Sequence, residues 1–329
     1  MAAQADGRAS RRLAYLQRRL DPFTQEGVRE HLIQPPAISI TVSSGQGWPT
    51  IRDTVLSVEA AAAAVGGEVI ITDGSLEPPP DPADLAPTTT WHAVPGASIF
   101  QLRHLAYGMS AAPIVAITED HCRVASDWAS RIIAAHVAHP EATAIGGSVV
   151  NGAVDRDLDW ASFLVVQASI AAPIASGPAD KIAGAVNTSY KREALAYIDD
   201  FDGMGALDTV HQRSLGQAGR TLLSDDSIRV VHDQSLGTRG TILIHYHAGR
   251  TFAGFLRQRM DLVAWSRFLG VFIVPYLRFG RAVVLARRKG YGPIVIRVWP
   301  AMLLLFIAQG AGQLVGFLAG PGDSPHRVQ

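Results

Sequence analysis

The 329-residue chain has a single cysteine, Cys122. One thiol excludes an intramolecular disulfide framework and fits a reducing compartment. There is no CxxC pair and no histidine-rich tract, so a structural zinc site is not expected. Net charge is absent as well, because 29 basic residues balance 29 acidic ones. A broad basic face for nucleic acid is therefore not expected. The first thirty residues are polar and charged and lack an apolar core of signal-peptide type. No repeat of fixed period is visible. A last absence is local. No acid stands between Asp261 and Asp323, yet Arg267, Arg278, Arg281, Arg287, Arg288, Lys289 and Arg297 all do.

The stretch Val115–Cys122 organises what is present. An apolar run beginning at Pro113 ends abruptly in Glu119-Asp120-His121. Such a run reads as a buried parallel strand. In an open α/β sheet, ligands collect at the carboxyl ends of strands. Two oxygen donors and an imidazole suit a divalent cation, Mg²⁺ or Mn²⁺, with phosphate completing the shell. The plainer reading is a polar loop in which Asp120 starts the next turn.

Strands and helices alternate around this stretch. Ala37–Val42 and Glu68–Thr72 are expected strands, the second ending in Asp73-Gly74-Ser75, with Trp91–Val94 as a short third. Helices are expected over Thr50–Val65, which follows Pro49, and Ser98–Met109, which carries Arg103. This alternation predicts a doubly wound, mostly parallel sheet. Ser126–His139 and Trp160–Ala172 read as helices, and Ala142–Val150 and Ile182–Asn187 as strands. Lys191–Tyr197 is an expected short helix. Asp208 is placed to cap a helix over Thr209–Ala218, with Gly219 at its end. Arg220–Leu223 and Ile228–His232 look like two closing strands.

The two ends of the chain differ from this middle. Residues 1–35 read as a polar helical arm, with a short basic helix over Arg11–Leu20. His245-Tyr246-His247 and Arg250 have no acid nearby and read as a linker or cleft-edge lid. Leu262–Ala286 is apolar but interrupted by arginines, which suits an interfacial or re-entrant helix. Val298–Ala319 carries no charge, and about 20 apolar residues suffice to span a bilayer. Ala308, Gly312 and Gly316 form a small-residue stripe on it. The neighbouring cations favour a cytoplasmic catalytic domain on the cell membrane. The expected division is an arm (1–35), a catalytic domain (36–245), a linker with interfacial helices (246–290), a membrane helix (291–320) and a tail (321–329).

Several pieces fall into one known order. They are Ile38–Val42, Ile71-Thr72-Asp73-Gly74-Ser75, Leu102-Arg103 with Gly108, Thr118–Cys122 with Asp127-Trp128, Gly146-Gly147, Asn187 with Tyr190-Lys191-Arg192, and Leu207-Asp208 before Gly219. From about residue 36 to 235 the chain resembles the family 2 glycosyltransferases. The resemblance implies a GT-A fold, a mixed doubly wound sheet with a Rossmann-like nucleotide-binding half. It also implies a UDP-, GDP- or dTDP-sugar donor and a divalent metal, Mn²⁺ or Mg²⁺. By position, Asp73 would bind the donor's base and Arg103 its nucleotide part. Ser43, Asp120 and Asn187 would complete the donor site. Glu119 and His121 would stand at the outer positions of the metal-binding DxD, and Asp208 would be the catalytic base of an inverting transfer. The acceptor would be a membrane-proximal sugar, lipid-linked or part of a polysaccharide.

Two features depart from the family pattern. Glu119-x-His121 resembles the Asp-x-His of polypeptide N-acetylgalactosaminyltransferases, and Leu207-Asp208 leaves one acid where the family has two. The Gln-x-x-Arg-Trp pattern is missing, His211-Gln212-Arg213 being the nearest stretch, so a single transfer is expected rather than polymer extrusion. Two other readings compete. Gly45-x-Gly47-x-x-Thr50 after a strand, with Asp73 ending the next, imitates an NAD(P)-binding fingerprint. The lost acid at Leu207 would also suit an inactive glycosyltransferase-like binding module.

Overall fold

The computed structural model describes residues 35–328 except 199–202, 259 and 261. The helical arm expected over residues 1–34 lies outside the described residues. Strand β1 (Ser39–Ser44) is buried along its whole length, because helices cover both faces of the sheet it joins. Two strands pair with it in parallel, β2 (Glu68–Asp73) and β4 (Ile114–Glu119), and β3 (Thr89–Ala93) pairs in parallel with β2. The crossovers between them are helices α1 (Arg52–Ala63) and α2 (Ile99–Met109). Ser98 starts α2 with a reciprocal capping box to Gln101, which satisfies two otherwise unpaired donors.

The second half is mixed. It holds β5 (Cys122–Val124), β6 (Ala142–Asn151), β7 (Gly177–Pro178), β8 (Asn187–Lys191) and β9 (Thr221–His232). Eight strands run in the order β3-β2-β1-β4-β8-β6-β9-β5, and β7 pairs with β9. β8 runs antiparallel to both β4 and β6, while β6 and β9 are parallel. Alternation along β4 serves two cores. Ala116 joins a cluster with Val55 of α1 and Trp128 of α3 (Trp128–Ala138). Val115 and Ile117 join the opposite one, with Tyr107 of α2 and Leu215 of α5 (Asp208–Gln217).

Some boundaries differ from expectation. The apolar run Ile182–Val186 is a buried loop, and the polar Asn187–Lys191 is the strand. Two of its hydroxyls are satisfied internally, Thr188 by the Ala183 carbonyl and Ser189 by that of Ile145. The two closing strands are one strand, β9. Its register against β6 jumps from Gly147–Asp225 to Ser148–Arg229, so the polar residues between bulge outward instead of turning. Helix α4 spans Asp157–Gln167, ending before the expected Ala172. Asp208 is the first residue of α5 and makes no capping hydrogen bond.

Four helices close the chain: α6 (Thr238–Gln258), α7 (Leu262–Leu269), α8 (Val274–Arg288) and α9 (Gly292–Ala319). The expected boundary at residue 245 falls inside α6, so His245 and Arg250 are helical. The stretch expected as one interfacial helix is broken at Gly270–Ile273, just before Pro275. Among the described residues, α9 is the one helix long and apolar enough to cross a membrane, with mean hydropathy 1.8 over its most apolar stretch. Yet one face of it is packed within the protein. Val298, Met302 and Phe306 join the main core, and Gly312 and Gly316 lie against the α6 backbone.

Candidate functional site

Strand register brings the site together. Ser43 of β1 lies beside Glu119 of β4, and Ser44 lies beside Asp73 of β2. The carboxyl ends of three parallel strands therefore share one edge, where an α/β sheet places its ligands. β5 then pairs antiparallel with β9 so that Cys122 faces His232. The backbone N–H of Asp233 donates to the His121 carbonyl at 2.9 Å, which fixes His121 against His232.

Three ligand atoms converge there. His121 Nε2 and His232 Nε2 are 3.0 Å apart. Glu119 Oε2 is 3.5 Å from His121 Nε2 and 3.9 Å from His232 Nε2. Adjacent ligands of an octahedral divalent ion with bonds of about 2.1 Å stand about 3 Å apart, so the set is the right size. Two imidazoles and one carboxylate suit Mn²⁺ and related ions. Asp120 orients the set. Its Oδ1 lies 2.8 Å from His121 Nδ1 and its Oδ2 accepts from the Ser44 hydroxyl at 2.6 Å. With Nδ1 donating to Asp120, His121 turns its Nε2 lone pair toward the other two ligands.

The electrostatics follow from this contact. Burial acts to raise the Asp120 carboxyl, but hydrogen bonds from His121 and Ser44 and the Arg103 charge outweigh it and hold the group below its ordinary value. Burial acts to lower His121, and Asp120 and Glu119 outweigh it and raise the imidazole. His232 is pushed well down by burial and by His121. Cys122 also lies within 4.8 Å of the Glu119 and His121 ligand atoms. Burial pushes its thiol far up.

Arg103, on α2, links this centre to Asp208. It donates to Glu119 Oε1 at 3.0 Å and to Asp208 Oδ2 at 3.3 Å. Burial acts against its charge, but Asp208 and Glu119 outweigh that and raise the guanidinium. Asp208 is free to make this contact because it does not cap its helix. Ser43 also lines the cleft, with its hydroxyl 2.9 Å from that of Thr72.

Asp73 and Asn187 are placed differently. Asp73 is buried and accepts from the Ser75 N–H and hydroxyl at 2.9 and 2.8 Å, closing a turn. Gly74 is required in that turn, since a Cβ would come within 2.5 Å of the Ala97 carbonyl. Asn187 spends its side chain inside the sheet. It donates to the Ser148 and Ile228 carbonyls and accepts from Trp128 Nε1. Its contacts join β6, β8, β9 and α3 and do not face the cleft. The Gly45–Thr50 loop is likewise occupied. Within it the Gln46 N–H donates to the Ser44 hydroxyl, the Gly47 carbonyl accepts from the Ile51 N–H, and Pro49 offers no N–H.

The cleft holds about 190 Å³, and its back wall comes from the C-terminal helices. Gln309 of α9 lies 2.9 Å from His245 Nδ1 through its amide nitrogen, so the His245 proton sits on Nε2, 3.0 Å from the Ser162 hydroxyl. Sequence reasoning missed His232 and this chain. His232 is 111 residues from His121, and only the β5–β9 pairing joins them.

The mixed sheet, with a parallel half and acids at its carboxyl edge, matches a Rossmann-like fold found in a solved glycosyltransferase. In overall structure the chain is similar to the mannosyltransferase PcManGT from Pyrobaculum calidifontis, solved in complex with GDP-mannose and Mn²⁺. The TM-score is 0.50 at 16% identity, over 96% of each chain. At that identity the likeness is one of fold. No family model and no curated protein sequence matches the chain.

Proposed function

We propose that the chain is an inverting, metal-assisted glycosyltransferase of the family 2 type, moving sugar from a nucleotide-sugar donor to a membrane-proximal acceptor. The observation that carries this reading is the convergence of Glu119, His121 and His232, joined through Arg103 to Asp208. Glu119, His121 and His232 would hold a divalent ion. When bound, such an ion offsets the charge that develops on a leaving diphosphate. Asp120 and Ser44 hold His121 in its ligating tautomer. Arg103, which donates to Glu119 and Asp208 together, would offer its charge to the donor's phosphates. Asp208 would take the acceptor hydroxyl's proton as its oxygen attacks the anomeric carbon on the face opposite the leaving diphosphate, whose bond to that carbon breaks, so the carbon is inverted. Ser43 and Asp73 border the donor's nucleotide end. The exposed apolar surface of α7, α8 and α9, with the basic residues near it, would attach the enzyme to the cytoplasmic side of the membrane.

The test is thermal unfolding of the full chain with UDP-, GDP- and dTDP-sugars, with Mn²⁺ or with EDTA. One donor is expected to stabilise strongly in Mn²⁺ and hardly in EDTA. A ligand at 100 times its Kd adds about 2.7 kcal/mol, a readable shift. Stabilisation by NAD(H) that ignores EDTA would replace this reading with the dinucleotide one. The PcManGT likeness makes GDP-mannose the first donor to try.

A further inference from the structure

A second cavity, of about 740 Å³, opens between the catalytic domain and the C-terminal helices. Four cations line it: Lys181 from the loop before β8, Arg267 on α7, and Arg278 and Arg281 on α8. Among the described residues no carboxylate lines it. Arg278 and Arg281 are three residues apart and so share one helix face, where like charges repel. Among the described residues no ion pair engages Lys181, Arg278 or Arg281, whereas Arg103, Arg123, Arg131 and Arg297 each meet a carboxylate. Burial and the neighbouring Arg267 bring Arg278 down to about 10. Lys181 is lowered by burial and then by Arg278, Arg281 and Arg267. Cations gathered in this way disfavour one another until an anion joins them.

The rest of the wall is apolar. The Arg267 guanidinium stands 4.8 Å from the Phe252 ring centre, and that of Arg278 stands 5.4 Å from Phe306. These rings hold the charges in place and give a hydrocarbon chain something to lie on. Val166, Ala248 and Gln309 line both this cavity and the cleft at the metal ligands, and Thr209, next to Asp208, lines this one. Outside, Phe272, Ile273 and Leu277 are exposed beside α8. A small free anion would need the charges but not the apolar walls or the exposed surface.

We propose that this cavity binds the phosphate of a phosphate-bearing lipid, held by Lys181, Arg267, Arg278 and Arg281, with its chain running along α8. Guanidinium groups are suited to phosphate because their N–H groups match its oxygens in pairs. That this lipid is the acceptor rests on the glycosyl-transfer reading above, while the binding site itself does not.

The test is binding of three probes to the full chain in neutral detergent: farnesyl phosphate, farnesol and inorganic phosphate. GDP-mannose, UDP-sugar and dTDP-sugar binding in Mn²⁺ is measured in parallel. Farnesyl phosphate is expected to bind at least about tenfold more tightly than either other probe, the ratio a charged hydrogen-bonded headgroup supplies. The double variant Arg278→Gln, Arg281→Gln is expected to lose about tenfold or more of that affinity, with donor binding unchanged. If the double variant also loses donor binding, it has not folded, and Lys181→Gln, on a loop, takes its place with at least about a threefold loss expected. Equal binding of farnesol would show that the cations do not recognise the ligand. Equal binding of inorganic phosphate would make this a free-anion site and overturn the lipid. Variants that bind farnesyl phosphate like the parent would remove the cavity from the proposal. Lipid-phosphate binding without any nucleotide-sugar binding would leave this inference standing and end the transferase reading, and the converse result would do the opposite.

Discussion

Arg103 shows how one residue ties the candidate site together. Its guanidinium reaches a ligand acid, Glu119, and the candidate base, Asp208, which are far apart in sequence. The two acids are expected to separate when changed. Asp208→Asn keeps the size of the side chain and costs no capping bond, so the fold should survive. Turnover should fall by about 10² or more, because the proton acceptor is gone. Donor affinity should stay close to that of the parent. Glu119→Ala should instead weaken Mn²⁺-dependent donor binding. Parent-rate transfer by Asp208→Asn would place the base elsewhere. A second residue-scale expectation concerns His136, which burial, then Lys191, lowers to about 4. An unfolded imidazole takes its proton near 6.5. The folded value is the lower one, so the unfolded state binds more protons between them. The stability that His136 contributes is full above pH 6.5 and is lost as pH falls toward 4, by at most about 1.4 kcal/mol per pH unit. Urea unfolding at pH 7 and pH 5 should show a smaller drop for His136→Gln than for the parent. An equal drop would mean that His136 is not buried neutral.

Among the elements, those with simple apolar runs were legible. β2 and β4 end one residue past their runs, at Asp73 and Glu119, and those acids were found from the runs alone, while β1 continues two residues past its run to Ser44. What was not legible depended on partners distant in the chain. β8 is polar, so the sequence pattern places the strand on the apolar residues before it, and the hydroxyls of Thr188 and Ser189 find their acceptors in the Ala183 and Ile145 carbonyls. β9 carries Asp225-Asp226-Ser227, which imitates a turn but forms a bulge against β6. His232, at its end, gained meaning only from β5. The small-residue stripe on α9 was visible, but its partner, α6, was not. A Cβ on Gly312 would stand 2.0 Å from the Tyr246 carbonyl, whereas Gly280 on α8 has open space around it. Gly312→Ala should therefore destabilise by about 1–3 kcal/mol through overpacking. Gly280→Ala should stabilise by up to about 1 kcal/mol, since alanine loses less backbone freedom in a helix. Thermal unfolding of both variants checks the pair. A Gly312→Ala protein as stable as the parent would contradict the α6–α9 contact.

At the scale of the whole molecule, α9 cannot be surrounded by lipid on all sides. It buries Gln309 and Gln313 and packs along α6, which carries His245, His247 and Arg250. Leu277 on α8, Ile296 on α9 and Phe272 in the turn before α8 are 66, 72 and 73% exposed. This shape suits a protein lying in the membrane surface rather than hung from a separate span. The full chain is expected to float with anionic vesicles and to stay with them in about 1 M salt, where the Debye length is only about 3 Å. Phe272→Ser with Leu277→Ser should float poorly while keeping nucleotide-sugar binding. Full release by salt would show that charge alone holds the protein there.

The candidate metal centre is the point on which site, fold and proposed reaction meet. Titrating Mn²⁺ into the full chain, with free Mn²⁺ followed by electron paramagnetic resonance, tests it most directly. One ion should bind per chain, and more tightly when GDP or UDP is present, because the diphosphate completes the shell. His232→Ala should weaken that binding by about tenfold or more, as loss of a metal-site group does. Binding that ignores both the nucleotide and His232, or no binding at all, would contradict the site described here.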